Sequence, residues 1–358
     1  MVRHQSATGT GQQRVDRSPQ EGPLSTGPAT DPRGGEHAEL IARLAAGERG
    51  ALARVLTLIE RQPALLASLD AALAPLTGRA YTIGITGSPG AGKSTLVGAI
   101  LQDALAHNLR TAVLALDPVS PITDGAILGD RMRMNEMSGD PRLFVRSLGA
   151  RRARGGLSLV APFAIRALDA AGWPWIVIET VGVGQNEIDV VEVACTTVVV
   201  LTPGMGDEVQ AMKAGLMEVA DVFVINKADR EGASQIQHDV ERLAARVASG
   251  SWQPPVIRTV APERHGISEL MAAIAAHRAH LEAAGEIAAR RQRLLTLALR
   301  SLVEDALRKR IDELARGEGW TRALAAVAAC EDSLGSVARR VLTDIGDRSP
   351  AGGPPVTP

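Results

Sequence analysis

Residues 87–94 have the types and the spacing that hold the phosphates of a nucleotide. They read GSPGAGKS and fit the pattern G-x-x-x-x-G-K-[ST]. Glycines allow a tight turn, so that successive backbone N–H groups can point at phosphate oxygens. Lys93 would reach the β- and γ-phosphates, and the Ser94 hydroxyl would bind Mg²⁺. The predicted phosphate-binding loop consists of Gly87, Ser88, Pro89, Gly90, Ala91, Gly92, Lys93 and Ser94.

The flanking residues supply the elements that must position such a loop. Tyr81–Thr86 is a short apolar run that predicts a buried strand, and Ser94–Leu105 has the pattern of a helix. A helix that begins directly after the loop adds the partial positive charge of its amino end to the phosphate site. This strand, loop and helix context favours nucleotide binding over a chance match.

A second motif, Asn226-Lys227-Ala228-Asp229, follows the apolar run Val222–Ile225 and fits N-K-x-D. The Asp229 carboxylate can accept hydrogen bonds from the ring N–H and the exocyclic amine of guanine, a donor pair that adenine lacks. One charge-assisted bond contributes about 1.5–3 kcal/mol, which is roughly 10- to 100-fold in affinity. The four residues taken alone also suit an ordinary loop after a strand. Together with the phosphate loop they predict that GTP is preferred over ATP.

Three acidic residues are candidates for a metal site and for orienting water. Glu179 ends the very apolar run Trp175–Ile178, and the N–H of Gly182 beyond it can sense a γ-phosphate. Asp117 ends the strand after the first helix, and Asp130 lies in a long loop. Each could be a Mg²⁺ ligand or could orient the attacking water. Glu179 could also be a solvated strand end, and Asp117 a simple turn residue.

Composition bounds the class of protein. The chain has 358 residues, 45% of them hydrophobic and only 2% aromatic, so the core must be built from Leu, Val, Ile and Ala. A net charge of −1 gives no electrostatic case for nucleic acid. Cys195 and Cys330 lie far apart without metal-like spacing, which suits a reduced, cytoplasmic protein. No apolar run reaches the ~18 residues that span a membrane, and no signal peptide is evident.

The order of apolar runs and helical segments predicts the fold. Short runs alternate with helical segments, which is typical of an α/β protein with a mostly parallel sheet and helices on both faces, as in P-loop NTPases. The predicted strands are Tyr81–Thr86, Thr111–Leu116, Leu143–Val145, Trp175–Glu179, Thr197–Leu201, Val222–Ile225 and Val256–Val260.

Five segments are expected along the chain. They are a disordered tail (1–35), an N-terminal helical extension (36–78), a P-loop GTPase domain (79–282), a C-terminal helical region (283–346) and a second disordered tail (347–358). The stripe Leu295, Leu299, Leu302, Ala306, Leu307, Ile311 and Leu314 favours a dimerisation arm over packing on its own domain. His277 and His280 are interpreted as surface histidines, because no third metal ligand is in view.

The string ETVGVGQNE (179–187) resembles the second switch of the MeaB/ArgK family of GTPases. The other segments of that family stand in order along the chain, and the resemblance runs from about Glu36 to the His277–His280 region. They are GSPGAGKST (87–95), LDPVSP (116–121), ILGDRMRM (127–134), GMGDEVQAMKAG (204–215), EVADVFVINKAD (218–229) and TVAPERHGISEL (259–270).

The resemblance implies a homodimeric, Mg²⁺-dependent GTPase that serves adenosylcobalamin-dependent acyl-CoA mutases, chiefly methylmalonyl-CoA mutase. It implies that the GTPase gates delivery of intact cofactor and protects the mutase from inactivation. It assigns Thr95 to the phosphate and Mg²⁺ residues with Lys93 and Ser94, and it makes Asp117, Asp130 and Glu179 the acidic set around metal and water. The guanine site would comprise Asn226, Lys227 and Asp229, with Val260 and Ala261 also binding the nucleotide. The segment 204–215, with Asp207, Gln210 and Lys213, resembles a third switch.

Two other functions are weighed against this one. A GTPase that delivers nickel or another metal would carry Cys/His clusters near its switches, and the sequence has none there. An accessory ATPase or kinase of basic amino-acid transport would bind ATP, whereas N-K-A-D favours guanine. The sequence does not identify which acyl-CoA mutase is the partner.

Overall fold

The computed structural model describes residues 32–118, 139–150, 160–180, 190–204, 216–247 and 252–347. Several predicted features lie outside these residues. They are the second tail from residue 348, residues 1–31 of the first tail, Asp130, Gly182 and the segment with Asp207, Gln210 and Lys213. Of Asp117 the structure describes the backbone.

Seven strands form one parallel sheet in the order β3-β2-β4-β1-β5-β6-β7. Each predicted apolar run is a strand, and helices cover both faces, which confirms the predicted α/β class. The strands are β1 (Tyr81–Thr86), β2 (Thr111–Pro118), β3 (Leu143–Ala150), β4 (Trp175–Thr180), β5 (Thr196–Leu201), β6 (Val222–Asn226) and β7 (Val256–Thr259).

The helices precede, separate and follow the strands. None of those that the structure describes is long and apolar enough to cross a bilayer. They are α1 (Pro32–Ala45), α2 (Arg49–Arg61), α3 (Leu66–Leu73), α4 (Lys93–Ala106), α5 (Ala161–Ala170), α6 (Leu216–Val219), α7 (Ala233–Val247), α8 (Ile267–Ala283), α9 (Ile287–Ala315), α10 (Glu318–Ala328) and α11 (Leu334–Asp347). Helix α1 begins within the segment predicted as a tail, and the domain boundaries stay predictions.

The core lies on both faces of the sheet. Leu114 of β2 belongs to a core cluster that includes residues of α1, α2, α3 and α5. Its neighbour Val113 belongs to a second cluster, which includes residues of α4 and α8. Adjacent residues of a strand point to opposite faces, so a sheet covered on both sides requires continuous apolar strands. This is why the strands appear in the sequence as apolar runs rather than as alternating patterns.

Helix α2 lies along the edge strand β3 and is attached near both of its ends. At the start of the helix, Arg49 donates a hydrogen bond from Nη1 to the Asp140 carbonyl at 3.1 Å. Towards its end, the Glu60 carboxylate accepts from Arg146 Nη2 and from the Gly149 N–H, both at 3.0 Å. The N-terminal helices therefore hold the outermost strand of the sheet in place.

A buried carboxylate fixes the connection from the N-terminal helices to β1. Asp169 of α5 accepts hydrogen bonds from three successive backbone N–H groups at 2.5, 3.2 and 2.9 Å, those of Gly78, Arg79 and Ala80. Three charge-assisted bonds to one carboxylate are strong because the acceptor is ionised. The chain therefore enters β1 along a defined path.

At the amino ends of the central strands, polar side chains form a buried cluster. His277 of α8 is 1% exposed, and its Nδ1 lies 2.9 Å from Thr196 Oγ1, which in turn lies 2.6 Å from the Tyr81 hydroxyl. On the other side of the ring, His277 Nε2 lies 3.3 Å from Asp221 Oδ1. The interpretation of His277 as a surface histidine is therefore wrong, because α8 turns this residue into the sheet.

The same cluster anchors the long helix α9. Arg290 donates two hydrogen bonds to the Asp221 carboxylate, at 3.0 and 2.9 Å. The Trp252 indole N–H donates to the Asp221 carbonyl at 2.9 Å, and its ring centroid lies 4.8 Å from that of His277. Burial lowers the pKa of His277 below its ordinary value of 6.5, and the Asp221 carboxylate opposes this shift in part.

Beyond this anchor, α9 has two different sides. Ala298 and Ser301 are buried, and Leu294, Leu297 and Leu302 pack against the core. A row of large apolar side chains remains exposed. It consists of Leu295, Leu299, Val303, Leu307 and Ile311.

We expect the stability of the protein to fall as the pH drops below about 6.5, in part because of His277. A lowered pKa in the folded state means that the unfolded chain binds more protons in this range, so acid favours unfolding. His277→Gln should make the free energy of unfolding depend less on pH between pH 7 and 5, measured by urea denaturation. His238→Gln, at an exposed histidine, is the control. An unchanged slope in His277→Gln would contradict this assignment.

Candidate nucleotide site

The loop from Gly87 to Gly92 connects β1 to α4 and needs glycine at a close approach. Gly87 has φ +141°, and a Cβ atom there would lie 2.2 Å from the backbone oxygen of Val200 in β5. Gly92 has φ +86°, and its Cβ would lie 2.5 Å from Asn226 Nδ2. Any larger residue would therefore push the loop away from the strands that support it.

Lys93 is the first residue of α4 and is 7% exposed. Its Nζ donates hydrogen bonds to the carbonyls of Gly87 at 2.6 Å and Ser88 at 2.9 Å. The ammonium group therefore sits inside the curve of the loop, next to the amino end of α4. Both contribute positive potential where phosphate oxygens would lie.

A hydroxyl and a carboxylate meet beside this loop. Ser94 Oγ lies 2.5 Å from Glu179 Oε1, and Glu179 is 5% exposed. Glu179 lies near the end of β4, and Ser94 lies in the first turn of α4, which follows β1 through the phosphate loop. The strands β1 and β4 are adjacent, since Ile85 pairs with Glu179. Oxygen ligands of these two types are those that Mg²⁺ prefers, so the pair fits a magnesium site.

Of the other two predicted acids, the structure places one at the same edge of the sheet. Leu116 of β2 pairs with Thr180 of β4, so the backbone of Asp117 lies next to the end of β4. Asp130 lies outside the described residues. Among those residues, no group of three or more His, Cys, Asp and Glu side chains could hold a metal ion.

Asn226 joins the phosphate loop to the end of β7. It is 1% exposed, and its Nδ2 donates a hydrogen bond to the Ala91 carbonyl at 2.8 Å. Its Oδ1 accepts from Thr259 Oγ1 at 3.1 Å and from the Ala261 N–H at 3.3 Å. One amide side chain therefore connects three loops at the carboxyl edge of the sheet.

The remaining residues of the N-K-A-D motif form a turn above the phosphate loop. Lys227 has φ +56° and donates from Nζ to the Gly90 carbonyl at 2.7 Å. The Ala228 N–H donates to the Thr259 carbonyl at 3.1 Å, and Asp229 is exposed. The turn is therefore tied both to the phosphate loop and to β7.

The segment after β7 closes on itself. Val260 and His265 exchange two backbone hydrogen bonds, at 3.1 and 3.3 Å, around a short 3₁₀ turn at Ala261–Glu263. This closure fixes Val260 and Ala261, which were predicted to bind the nucleotide, beside the N-K-A-D turn. Thr259 was not predicted from the sequence as part of this arrangement. Its place directly before Val260, in the segment Thr259–Ala261 (the TVA segment), was a signal for it.

The structure thus brings most of the predicted residues together. The phosphate loop, the Ser94–Glu179 pair, the N-K-A-D turn and the TVA segment all lie at the carboxyl ends of β1, β4, β6 and β7. Ligands of open parallel sheets bind at this edge. The arrangement can hold a triphosphate at one end and a base at the other.

Gly87→Ala should impair the site far more than Gly90→Ala. Both glycines have positive φ, but only at position 87 would a Cβ meet a backbone atom, whereas at Gly90 it meets nothing within 4 Å. Gly90→Ala carries backbone strain alone, about 1–2 kcal/mol. We expect Gly87→Ala to lower the melting temperature further and to weaken binding of a fluorescent GDP analogue. Equal effects of the two substitutions would contradict the close approach to β5.

Comparison with known proteins identifies the family. The sequence profile of the family described as "Methylmalonyl Co-A mutase-associated GTPase MeaB" matches residues 52–315. A solved structure titled "Crystal structure of LAO/AO transport system kinase" shares 30% sequence identity and a TM-score of 0.65, covering 87% of this chain and 98% of that one. This likeness over most of both chains confirms the predicted P-loop NTPase fold.

Relatives occur in archaea and bacteria. A Pyrococcus abyssi protein named as a GTPase is 44% identical over 286 residues, which cover 78% of this chain and 88% of the relative. The protein named GTPase ArgK of Escherichia coli is 38% identical over 277 residues, covering 75% of this chain and 84% of its own. The chain therefore belongs to the MeaB family of GTPases and is a GTP-hydrolysing enzyme.

Proposed function

We propose that GTP binds along the carboxyl edge of the sheet and is hydrolysed beside the Ser94–Glu179 pair. The phosphate loop Gly87–Gly92 and Thr95 hold the phosphates, and Lys93 offers its ammonium to the β- and γ-oxygens. The Asp229 carboxylate accepts hydrogen bonds from guanine, next to Val260 and Ala261. Asn226 and Lys227 keep the base site and the phosphate loop at a fixed separation.

The Ser94–Glu179 pair is proposed to hold Mg²⁺, with Asp117 and Asp130 as the other candidate acids. When bound there, the metal would neutralise charge on the β- and γ-phosphate oxygens. Glu179 is buried next to the phosphate loop, so its negative charge is available to a cation inside the site. One of the three acids orients the water that attacks the γ-phosphate in line, and Gly182 contacts that phosphate.

We further propose that the enzyme is a chaperone for an adenosylcobalamin-dependent acyl-CoA mutase of the methylmalonyl-CoA mutase type. The observation that carries this proposal is the match to a family described as methylmalonyl Co-A mutase-associated, over residues 52–315. In this role the nucleotide state gates cofactor loading and protects the mutase from inactivation. The segment 204–215, which follows β5 in the sequence, would relay the nucleotide state.

A homodimer formed through α9 is part of the proposal. The exposed row Leu295, Leu299, Val303, Leu307 and Ile311 supports it, because large apolar side chains at this spacing form one continuous stripe on a helix. The opposite side of α9 already packs on the core of its own chain. The cytoplasmic location expected from the cysteine usage stays a prediction.

Glu179→Gln should raise the Mg²⁺ concentration needed for half-maximal GTP hydrolysis. Removing the carboxylate charge weakens a hard cation site, while the similar shape of the amide preserves the packing around β4. Glu192→Gln, at an exposed carboxylate after β4, is the matched control. If both variants have the same Mg²⁺ dependence as the parent protein, Glu179 does not hold the metal.

The chaperone proposal predicts slow GTP turnover that one acyl-CoA mutase accelerates. Steady-state hydrolysis is measured alone and with each candidate mutase, with ATP as the nucleotide control. Lys93→Ala should abolish hydrolysis in both conditions, because it removes the buried ammonium, whereas Lys309→Ala removes an exposed one and should not. Turnover that is indifferent to every mutase would remove the partner from the proposal and leave the GTPase.

A further inference from the structure

We propose that Arg258 is a positioning residue for base recognition, which orients Asp229 and so sets the selectivity for guanine. The inference rests on the proposed role of Asp229 as the guanine-reading carboxylate. Arg258 lies on β7, outside the N-K-A-D motif and outside the phosphate loop. Its guanidinium nevertheless reaches the turn that carries Asp229.

The contacts of Arg258 join three elements. Its Nη2 donates a hydrogen bond to the Ala228 carbonyl at 3.0 Å, and its Nη1 lies 3.4 Å from Ser234 Oγ in the first turn of α7. In the sheet, Arg258 pairs with Ile225 of β6, the residue directly before the motif. The side chain thus reaches from the last strand across the turn to the following helix.

The Ala228 peptide is held from both sides. Its N–H donates to the Thr259 carbonyl, and its carbonyl accepts from Arg258, at 3.1 and 3.0 Å. A second bond, from the Arg230 N–H to the Lys227 carbonyl at 3.0 Å, closes the turn. Among the described residues, Arg258 supplies the hydrogen bond that reaches the Ala228 carbonyl from outside the turn.

Holding this carbonyl orients Asp229 directly. The Ala228 C=O and the Asp229 N–H belong to one peptide plane, and planarity couples the direction of the first to the position of the Asp229 Cα. Asp229 is exposed, so packing contributes little to its orientation. A carboxylate that must accept two hydrogen bonds from one edge of a base gains from being oriented before the base arrives.

Other roles for Arg258 predict different effects of its removal on nucleotide affinity, kcat and thermal stability. If its positive charge only attracted the triphosphate, every nucleotide triphosphate would lose affinity equally when it was removed. If it only supported the fold, kcat and thermal stability would fall together. An orienting role predicts instead that guanine recognition weakens selectively while the chemical step is kept.

The experiment compares GTP with ITP, which keeps the ring N–H of guanine but lacks the exocyclic amine. In Arg258→Ala we expect KM for GTP to rise about five-fold, which is the order expected for one exposed hydrogen bond from a charged donor. We expect KM for ITP to rise less and kcat to stay within about two-fold. Arg242→Ala removes one exposed guanidinium from α7, away from the turn, and controls for the lost charge. An unchanged ratio of KM values in Arg258→Ala would overturn the inference.

A double-mutant cycle with Asp229→Ala separates this inference from the proposed base site. If Asp229 reads guanine, Asp229→Ala lowers the preference for GTP over ITP, and adding Arg258→Ala then changes that preference no further. If Asp229→Ala lowers the preference and Arg258→Ala does not, the role of Arg258 alone is wrong. If Asp229→Ala leaves the preference unchanged, the guanine site itself is assigned wrongly, and the role of Arg258 falls with it.

Discussion

The site depends on one buried amide. Asn226 donates to the Ala91 carbonyl of the phosphate loop and accepts from Thr259 and Ala261, so it connects the loop that faces phosphates to the segments proposed to face the base. These segments are far apart in the sequence and meet only because β1, β6 and β7 end at the same edge of a parallel sheet. A buried amide group without a partner would cost about 1–3 kcal/mol, so Asn226 favours the arrangement in which these segments meet.

A second polar cluster lies at the amino ends of the strands, opposite the nucleotide site, and it anchors the C-terminal helices. Asp221, His277 and Arg290 join β6, α8 and α9 under Trp252, where the described residues place no part of the nucleotide site. A buried charge needs close partners, and Asp221 has the bidentate guanidinium, the histidine ring and the Thr197 N–H. The C-terminal helices are therefore attached to the same sheet that carries the site, through its central strands.

Local patterns predicted the elements well because the central strands are covered on both faces, which makes them continuous apolar runs. The phosphate loop and the N-K-A-D motif can be recognised in the sequence, since each is a contiguous string whose spacing reflects backbone geometry, and the binding roles of their residues stay predictions. Contacts between residues that are far apart in the sequence could not be predicted in this way. Nothing local marks His277 as buried, because its environment comes from β5, β6 and Trp252, and the role of Arg258 depends on a turn 30 residues earlier in the chain. The roles assigned to Asp117, Asp130 and Gly182 stay predictions.

The two outermost strands of the sheet, β3 and β7, are poor templates for adding another strand. On one side, Glu60 occupies the Gly149 N–H that an incoming chain would otherwise pair with, and α2 lies alongside. On the other, β7 has only four residues and carries the charged Arg258. Exposed strand edges are where folded proteins aggregate, and short, charged or covered edges suppress this. Copies of this chain are thus discouraged from joining sheet to sheet, and helical surfaces are left for ordered assembly.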